Sequence, residues 1–91
     1  MNNKIRTAVA GGAGYTGGEL IRLLLHHPNV EITGITSRSR AGEAVTRVHR
    51  DLAGETGIVF DKTLPRQEID VLFLCLGHGR SRQFIQDNDL E

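Results

Sequence analysis

The sequence predicts an α/β fold, a parallel sheet with helices on both faces. Three observations carry that expectation. Strand-like apolar runs alternate with helix-like segments in the order β-α-β-α-β-α-β-α. A glycine cluster, Gly11-Gly12-Ala13-Gly14-Tyr15-Thr16-Gly17-Gly18, joins the first strand-like run to the first helix-like one. A continuous apolar run, Val71-Leu72-Phe73-Leu74-Cys75-Leu76, reads as a central parallel strand buried on both faces.

Taken in order, Ile5, Ala8, Val9 and Ala10 form the first strand, which enters the glycine turn. Glu19 to His27 carries Leu20, Ile21, Leu23, Leu24 and Leu25, apolar around much of a helix, so this segment should lie against the sheet. Pro28 stops it, because proline disfavours helix in the residue before it and cannot continue the ladder. Val30 to Thr36 is rich in β-branched residues and reads as the second strand, completing a right-handed βαβ unit of about thirty residues. Ser37 to Gly42 is a polar loop at that strand's end, and Ala44, Val45, Val48 and Leu52 sit at helical spacing within a helix over 43–52. Gly54 to Gly57 is a turn, Ile58-Val59-Phe60 a short strand, and Leu64 to Ile69 a brief helix with Pro65 in its first turn. After the run from Val71 to Leu76, Gly77 to Arg80 forms a loop and Ser81 caps a last helix over about 82–88.

Size and charge narrow the classes of function. Ninety-one residues make at most one small domain with a thin core. Eleven basic and 11 acidic residues give zero formal charge, which argues against nucleic acid or a membrane surface as partner. The single cysteine, Cys75, excludes an internal disulfide and suits a reducing compartment. No apolar run approaches a membrane span of about 20 residues, and the polar start is no signal peptide, so a cytoplasmic location is expected. Asp87 to Glu91 closes a helix-like segment with no further strand, and Leu90-Glu91 matches a dipeptide often left by cloning. The expectation is a partial domain over 1–89, cut from a longer protein.

The glycine cluster points to a phosphate. Where a strand turns into a helix, unsatisfied N–H donors and the positive end of the helix dipole converge on one spot. Gly11 supplies a conformation closed to other residues, Gly14 lets a diphosphate approach the main chain, and Gly17 lets the helix lie close to its strand. The alternative is a tight turn with no ligand. A kinase-type phosphate loop does not fit, since Gly18-Glu19 stands where Lys-Ser/Thr should follow. The reading is a Rossmann-type dinucleotide-binding unit, in which ligands lie beyond the strands' C-terminal ends; the loops Gly11–Gly17, Ser37–Gly42 and Gly77–Arg80 should converge there.

An NAD site usually places a carboxylate about 20 residues on, at the end of the second strand, to hold the ribose 2′-hydroxyl. Ser37 stands there, followed by Arg38 and Arg40, while Glu31 lies too early. Hydroxyl and guanidinium groups attract a 2′-phosphate that a carboxylate would repel, so the residues read as NADP(H). The competing reading makes both arginines solvated loop charges. His78, in the third loop, either contacts coenzyme or substrate phosphate or is a plain loop histidine.

Other residues offer less. His26 and His27 are adjacent on a helix and point about 100° apart, so they make no metal pair, and no metal site is expected. Cys75 inside an apolar run reads as an inert buried thiol, and His49, among Arg47, Arg50 and Asp51, as solvent-exposed. Nothing here assembles a nucleophile, a base and an oxyanion site, so no catalytic residue is assigned.

Three stretches carry a resemblance: Ala10 to Leu20 through Gly-Tyr-Thr-Gly-Gly-Glu-Leu, Leu23 to Pro28, and Thr36 to Gly42 with its Ser-Arg-Ser-Arg-Ala-Gly. Together with Leu76-Gly-His-Gly79 they closely resemble N-acetyl-γ-glutamyl-phosphate reductase, over essentially the whole chain to about Asp89. The resemblance implies a cytoplasmic enzyme of arginine biosynthesis that uses NADPH to reduce an acyl phosphate to N-acetylglutamate 5-semialdehyde, the intact protein being a homo-oligomer. It implies that Gly11, Gly14, Thr16 and Gly17 surround the diphosphate and that Ser37 and Arg38 face the 2′-phosphate; Tyr15, Arg40, His78 and Gly79 complete the expected cofactor-binding set. The family's thioester-forming cysteine belongs to a second, α+β domain absent from this sequence, and Cys75 does not match it. Gly12-Ala13 and Gly77 depart from the family's usual Ala-Thr and proline, which should loosen the loops. Two other readings stand beside this one: a sister enzyme of the aspartate-semialdehyde dehydrogenase type, and a non-catalytic nucleotide-sensing module.

Overall fold

The computed structural model describes residues 4–65, 69–76 and 80–88. Three parallel strands form its sheet: β1 (Ile5–Ala10), β2 (Val30–Thr36) and β3 (Val71–Leu74), in the order β2-β1-β3. The helices are α1 (Tyr15–Leu25), α2 (Val45–Val48) and α3 (Arg80–Asp87), with a 3-10 turn at Arg50–Leu52. This is the expected parallel α/β arrangement, with β1 as its centre.

The core forms where the apolar pattern is densest. Ala8, Val9 and Ala10 of β1 are fully buried, and α1 lays Ile21 and Leu24 beside Ile35 of β2. Gly17 and Gly18 are also buried, which draws the start of α1 into the fold. The helix begins at Tyr15, inside the glycine cluster, rather than at Glu19. Its circumference is not buried throughout, since Leu23 stays 66% exposed. β2 carries a bulge: Thr7 pairs with Ile32 and Ala8 with Gly34, leaving Thr33 as the extra residue. The Thr33 hydroxyl donates to the Thr7 carbonyl at 3.2 Å, and Gly34 leaves room for the ring of Pro65, which a Cβ would meet at 2.9 Å.

Five expectations are corrected. The helix over 43–52 is a four-residue α2 followed by the 3-10 turn, because the chain bends at His49. Ile58 to Phe60 is no sheet strand; it makes an isolated antiparallel bridge, Ala44 to Val59, and Asp61 a parallel one to Thr36. Its bonds are split between two partners, Phe60 N–H to Glu43 O and Asp61 N–H to Ile35 O, so no ladder propagates, although Phe60 enters the core. The last strand ends at Leu74 and has only β1 beside it among the described residues, leaving Val71 39% and Phe73 36% exposed rather than buried. Ser81 lies inside α3, which starts at Arg80, so it is not the cap. Leu64 and Pro65 are not helical, and the rest of that expected helix falls largely outside the described residues.

β3 is anchored by a reciprocal pair at its N-terminal end. Asp70 accepts from the Arg6 N–H at 2.9 Å and from the Arg6 guanidinium at 3.3 and 3.4 Å, and Asp70 N–H donates to Arg6 O at 2.8 Å. The backbone donor first, then the side chain and charge of Arg6, hold the Asp70 carboxyl below the ordinary aspartate value.

Candidate functional site: a cleft at the C-terminal ends of the strands

The glycine turn leaves β1 at its C-terminal end and is fixed from beneath. Gly11 and Gly12 donate to the Thr36 carbonyl at 3.0 and 2.9 Å, tying the turn to the end of β2. Gly11 has φ +80°, and a Cβ there would stand 2.7 Å from both Cys75 O and Leu76 Cδ2. Gly17 faces the turn rather than a strand: a Cβ would meet Gly12 Cα at 2.8 Å and Gly11 O at 2.9 Å. Gly12, expected to loosen the loop, is instead buried and bonded on both sides, by Thr36 and by His49.

Gly14 differs from these. It is the N-cap of α1 at φ −80°, ψ 175°, a conformation any residue adopts, and nothing lies within 4 Å of its absent Cβ. The first helical bond runs from Gly18 N–H to Gly14 O at 2.9 Å. The N–H groups of Tyr15, Thr16 and Gly17 therefore have no acceptor among the described residues, and the helix has neither a side-chain cap nor an acidic residue in its first turn. That is the electrostatic arrangement an anion requires.

Before this helix end opens a cleft of about 400 Å³. Gly11, Ala13 and Gly14 form one wall, Ser37, Arg38 and Ser39 a second, and Cys75, Leu76 and Arg80 a third. The loops expected to converge do so, as far as their described residues reach. Among the described residues, two arginines and no carboxylate line the space. Glu31 is the second residue of β2, at the opposite end of the strand from Thr36.

The expected residues separate into groups. Gly11, Gly14, Ser37 and Arg38 line the cleft. Ser37 is nearly buried, its hydroxyl accepts from Arg40 N–H at 3.1 Å, and its own proton stays available to a ligand. Arg38 is exposed and has no ion-pair partner among the described residues. Arg40 is instead engaged by Glu43 at 3.5 Å and does not line the cleft. Tyr15, 85% exposed, Thr16 and Gly17 do not line the cleft; they follow Gly14, which does, in the first turn of α1. His78 and Gly79 lie outside the described residues.

Sequence reasoning missed three side chains. Arg80, the first residue of α3, lines the cleft with Arg38, and its like charge was the available signal. Cys75 follows β3 instead of lying within it, so it reaches the cleft, and burial pushes its thiol up from the ordinary value. His49 is not solvent-exposed: Nε2 lies 2.6 Å from Gly12 O and the ring packs edge-on to Phe60. His26 pairs with Glu55 at 2.8 Å, and His27 Nδ1 accepts from Asn29 N–H at 3.1 Å. Among the described residues no side-chain group could hold a metal, and no helix is long and apolar enough to cross a membrane.

Curated relatives named N-acetyl-γ-glutamyl-phosphate reductase, the family the motifs resemble, include one from Phocaeicola vulgatus, 51% identical over 86 residues, covering 94% of this chain and 27% of the relative. Another, from Parabacteroides distasonis, is 51% identical over 84 residues, covering 92% of this chain and 26% of the relative. The chain thus spans about a quarter of the length of the curated relatives it matches. A crystal structure of aspartate semialdehyde dehydrogenase with NADP from Candida albicans superimposes with a TM-score of 0.72 at 27% identity, over 91% of this chain and 26% of that one. The semialdehyde dehydrogenase NAD-binding domain matches residues 6–88. The chain belongs to the semialdehyde dehydrogenase family, as its NAD-binding domain.

Proposed function

We propose that this chain is the NADP(H)-binding part of an N-acetyl-γ-glutamyl-phosphate reductase, a partial domain over residues 1–89. One observation carries the reading. Gly14 stands open at the start of α1, beside three N–H groups without an acceptor among the described residues, at a cleft that those residues line with Ser37, Arg38 and Arg80 and with no acid. Glycine at that position answers no need of the backbone or of packing, and it leaves the space a diphosphate would fill. Arg38 and the hydroxyl of Ser37 would hold the 2′-phosphate, and the main-chain donors of Tyr15, Thr16 and Gly17 the diphosphate. The names of the relatives, and the NADP with which the similar dehydrogenase crystallised, support the same assignment.

When bound, the coenzyme supplies the hydride that reduces an activated acyl group to an aldehyde. The residues of this chain bind and orient it. The nucleophile would come from an α+β domain beyond this sequence, so the 91 residues alone should not turn over an acyl-phosphate substrate. The intact protein would be a cytoplasmic homo-oligomer with no nucleic-acid or membrane partner.

Arg38→Ala tests the coenzyme assignment. Loss of one charge-assisted contact at an exposed site should weaken NADPH about tenfold and leave NADH within about twofold, as read by calorimetric titration. Equal effects on both coenzymes, or none, would remove Arg38 from the 2′-phosphate. Tighter binding of NADH than NADPH by the unaltered protein would favour the nucleotide-sensing alternative. The sister dehydrogenase is separated by assaying the intact protein on N-acetylglutamyl phosphate and on aspartyl phosphate.

A further inference from the structure

His49 lies outside the cleft yet touches the turn that forms its floor. It caps the C-terminal end of α2, donating its main-chain N–H to Val45 O at 2.8 Å, and there the chain bends into the 3-10 turn. Its ring fits against Gly18 of α1, where a Cβ would lie 2.5 Å from Cε1 and Nδ1, and meets Phe60 edge-on, ring centres 6.3 Å apart at 68°. Nε2 is 2.6 Å from the Gly12 carbonyl. A carbonyl only accepts, so Nε2 carries the proton.

That bond fixes a peptide plane. The unit joining Gly12 to Ala13 is planar and trans, so its N–H points opposite to its C=O. Drawing the Gly12 carbonyl onto His49 turns the Ala13 N–H away from the histidine, and Ala13 is a cleft-lining residue whose N–H has no acceptor among the described residues. The Gly12 N–H, on the other side, is already held by Thr36 O at 2.9 Å. The Ala13 N–H end of this peptide has no partner among the described residues, so the histidine bond to the Gly12 carbonyl is what sets its orientation.

We infer that His49 is a positioning residue for dinucleotide binding, holding the Gly12–Ala13 peptide in the orientation that offers its N–H to the ligand's diphosphate. The inference rests on the proposed dinucleotide reading. It makes His49 blind to the 2′-phosphate, in contrast to Arg38.

Two variants of the 91-residue chain test it. His49→Phe keeps a ring against Gly18 and Phe60 and removes the donor; His49→Gln restores an N–H near the position of Nε2. The Phe variant should weaken NADPH and NADH by the same factor, about tenfold, with their ratio unchanged, and the Gln variant should recover most of it. In the free protein the Ala13 amide nitrogen, bonded to the Gly12 carbonyl carbon, should shift in the Phe variant and return in the Gln variant, with the Val45 and Phe60 amides unmoved. Unchanged affinity and an unmoved Ala13 resonance in His49→Phe would overturn the inference, as would a loss the Gln variant does not recover. If the unaltered protein binds neither coenzyme, the dinucleotide reading falls by itself; the Ala13 resonance then decides alone whether His49 holds the peptide.

Discussion

Gly11 and Gly14 belong to one turn, yet different physics acts on each. Gly11 is demanded by the fold, at φ +80° and with Cys75 O where a methyl would sit. Gly14 is not, having an ordinary φ and open space in place of a side chain. Alanine separates the two roles. Gly11→Ala should lower unfolding free energy by about 2 kcal/mol or more, through left-handed strain and the clash. Gly14→Ala should change stability by less than about 1 kcal/mol, the lost capping preference offsetting the gain in chain stiffness, while weakening coenzyme binding at least about tenfold. Thermal melts and titration of both variants check this; a Gly14→Ala protein that binds as before would show that no ligand occupies that space. Arg38 and Arg40 both stood in the loop expected at the 2′-phosphate. Structure divides them because Glu43 stands three residues after Arg40 and takes its guanidinium, a spacing that was already legible.

Among the elements, β1 is the spine, and β3 is fastened to it through Arg6 and Asp70. Because the Asp70 carboxyl sits below its ordinary value, this contact stabilises the fold above the unfolded-state pKa and is lost as pH falls through the folded-state one. Asp70→Asn should melt lower than the unaltered chain at neutral pH, and the gap should close in acid, below the ordinary aspartate range. A gap independent of pH would mean that the carboxylate charge plays no part. The βαβ unit was readable because a β-branched strand, a glycine turn and a leucine-rich helix each follow a local rule. The segment Ile58–Phe60 was not, since whether an apolar triplet becomes a sheet strand depends on which neighbour accepts its bonds. His49 was misread for the same reason. Its charged neighbours suggested solvent, but its partner is a carbonyl 37 positions away in sequence, which no periodicity encodes.

At the scale of the whole molecule, three loop regions from three strand ends meet in one cleft with arginines on two walls, although the chain spans only about a quarter of its curated relatives. The direction of the sheet was legible, because helix-length connections force parallel strands and parallel strands gather their exits on one side. The exposure of Val71 and Phe73 was not, since an apolar run does not say whether a further element covers it. This gathered end is where a phosphorylated dinucleotide is proposed to bind. The decisive experiment titrates the 91-residue chain with NADPH and NADH while following the amide resonances of Tyr15, Thr16, Gly17 and Arg38. Saturable shifts are expected at all four, with NADPH bound at least about tenfold tighter; silent amides at the start of α1, or a preference for NADH, would overturn the dinucleotide reading.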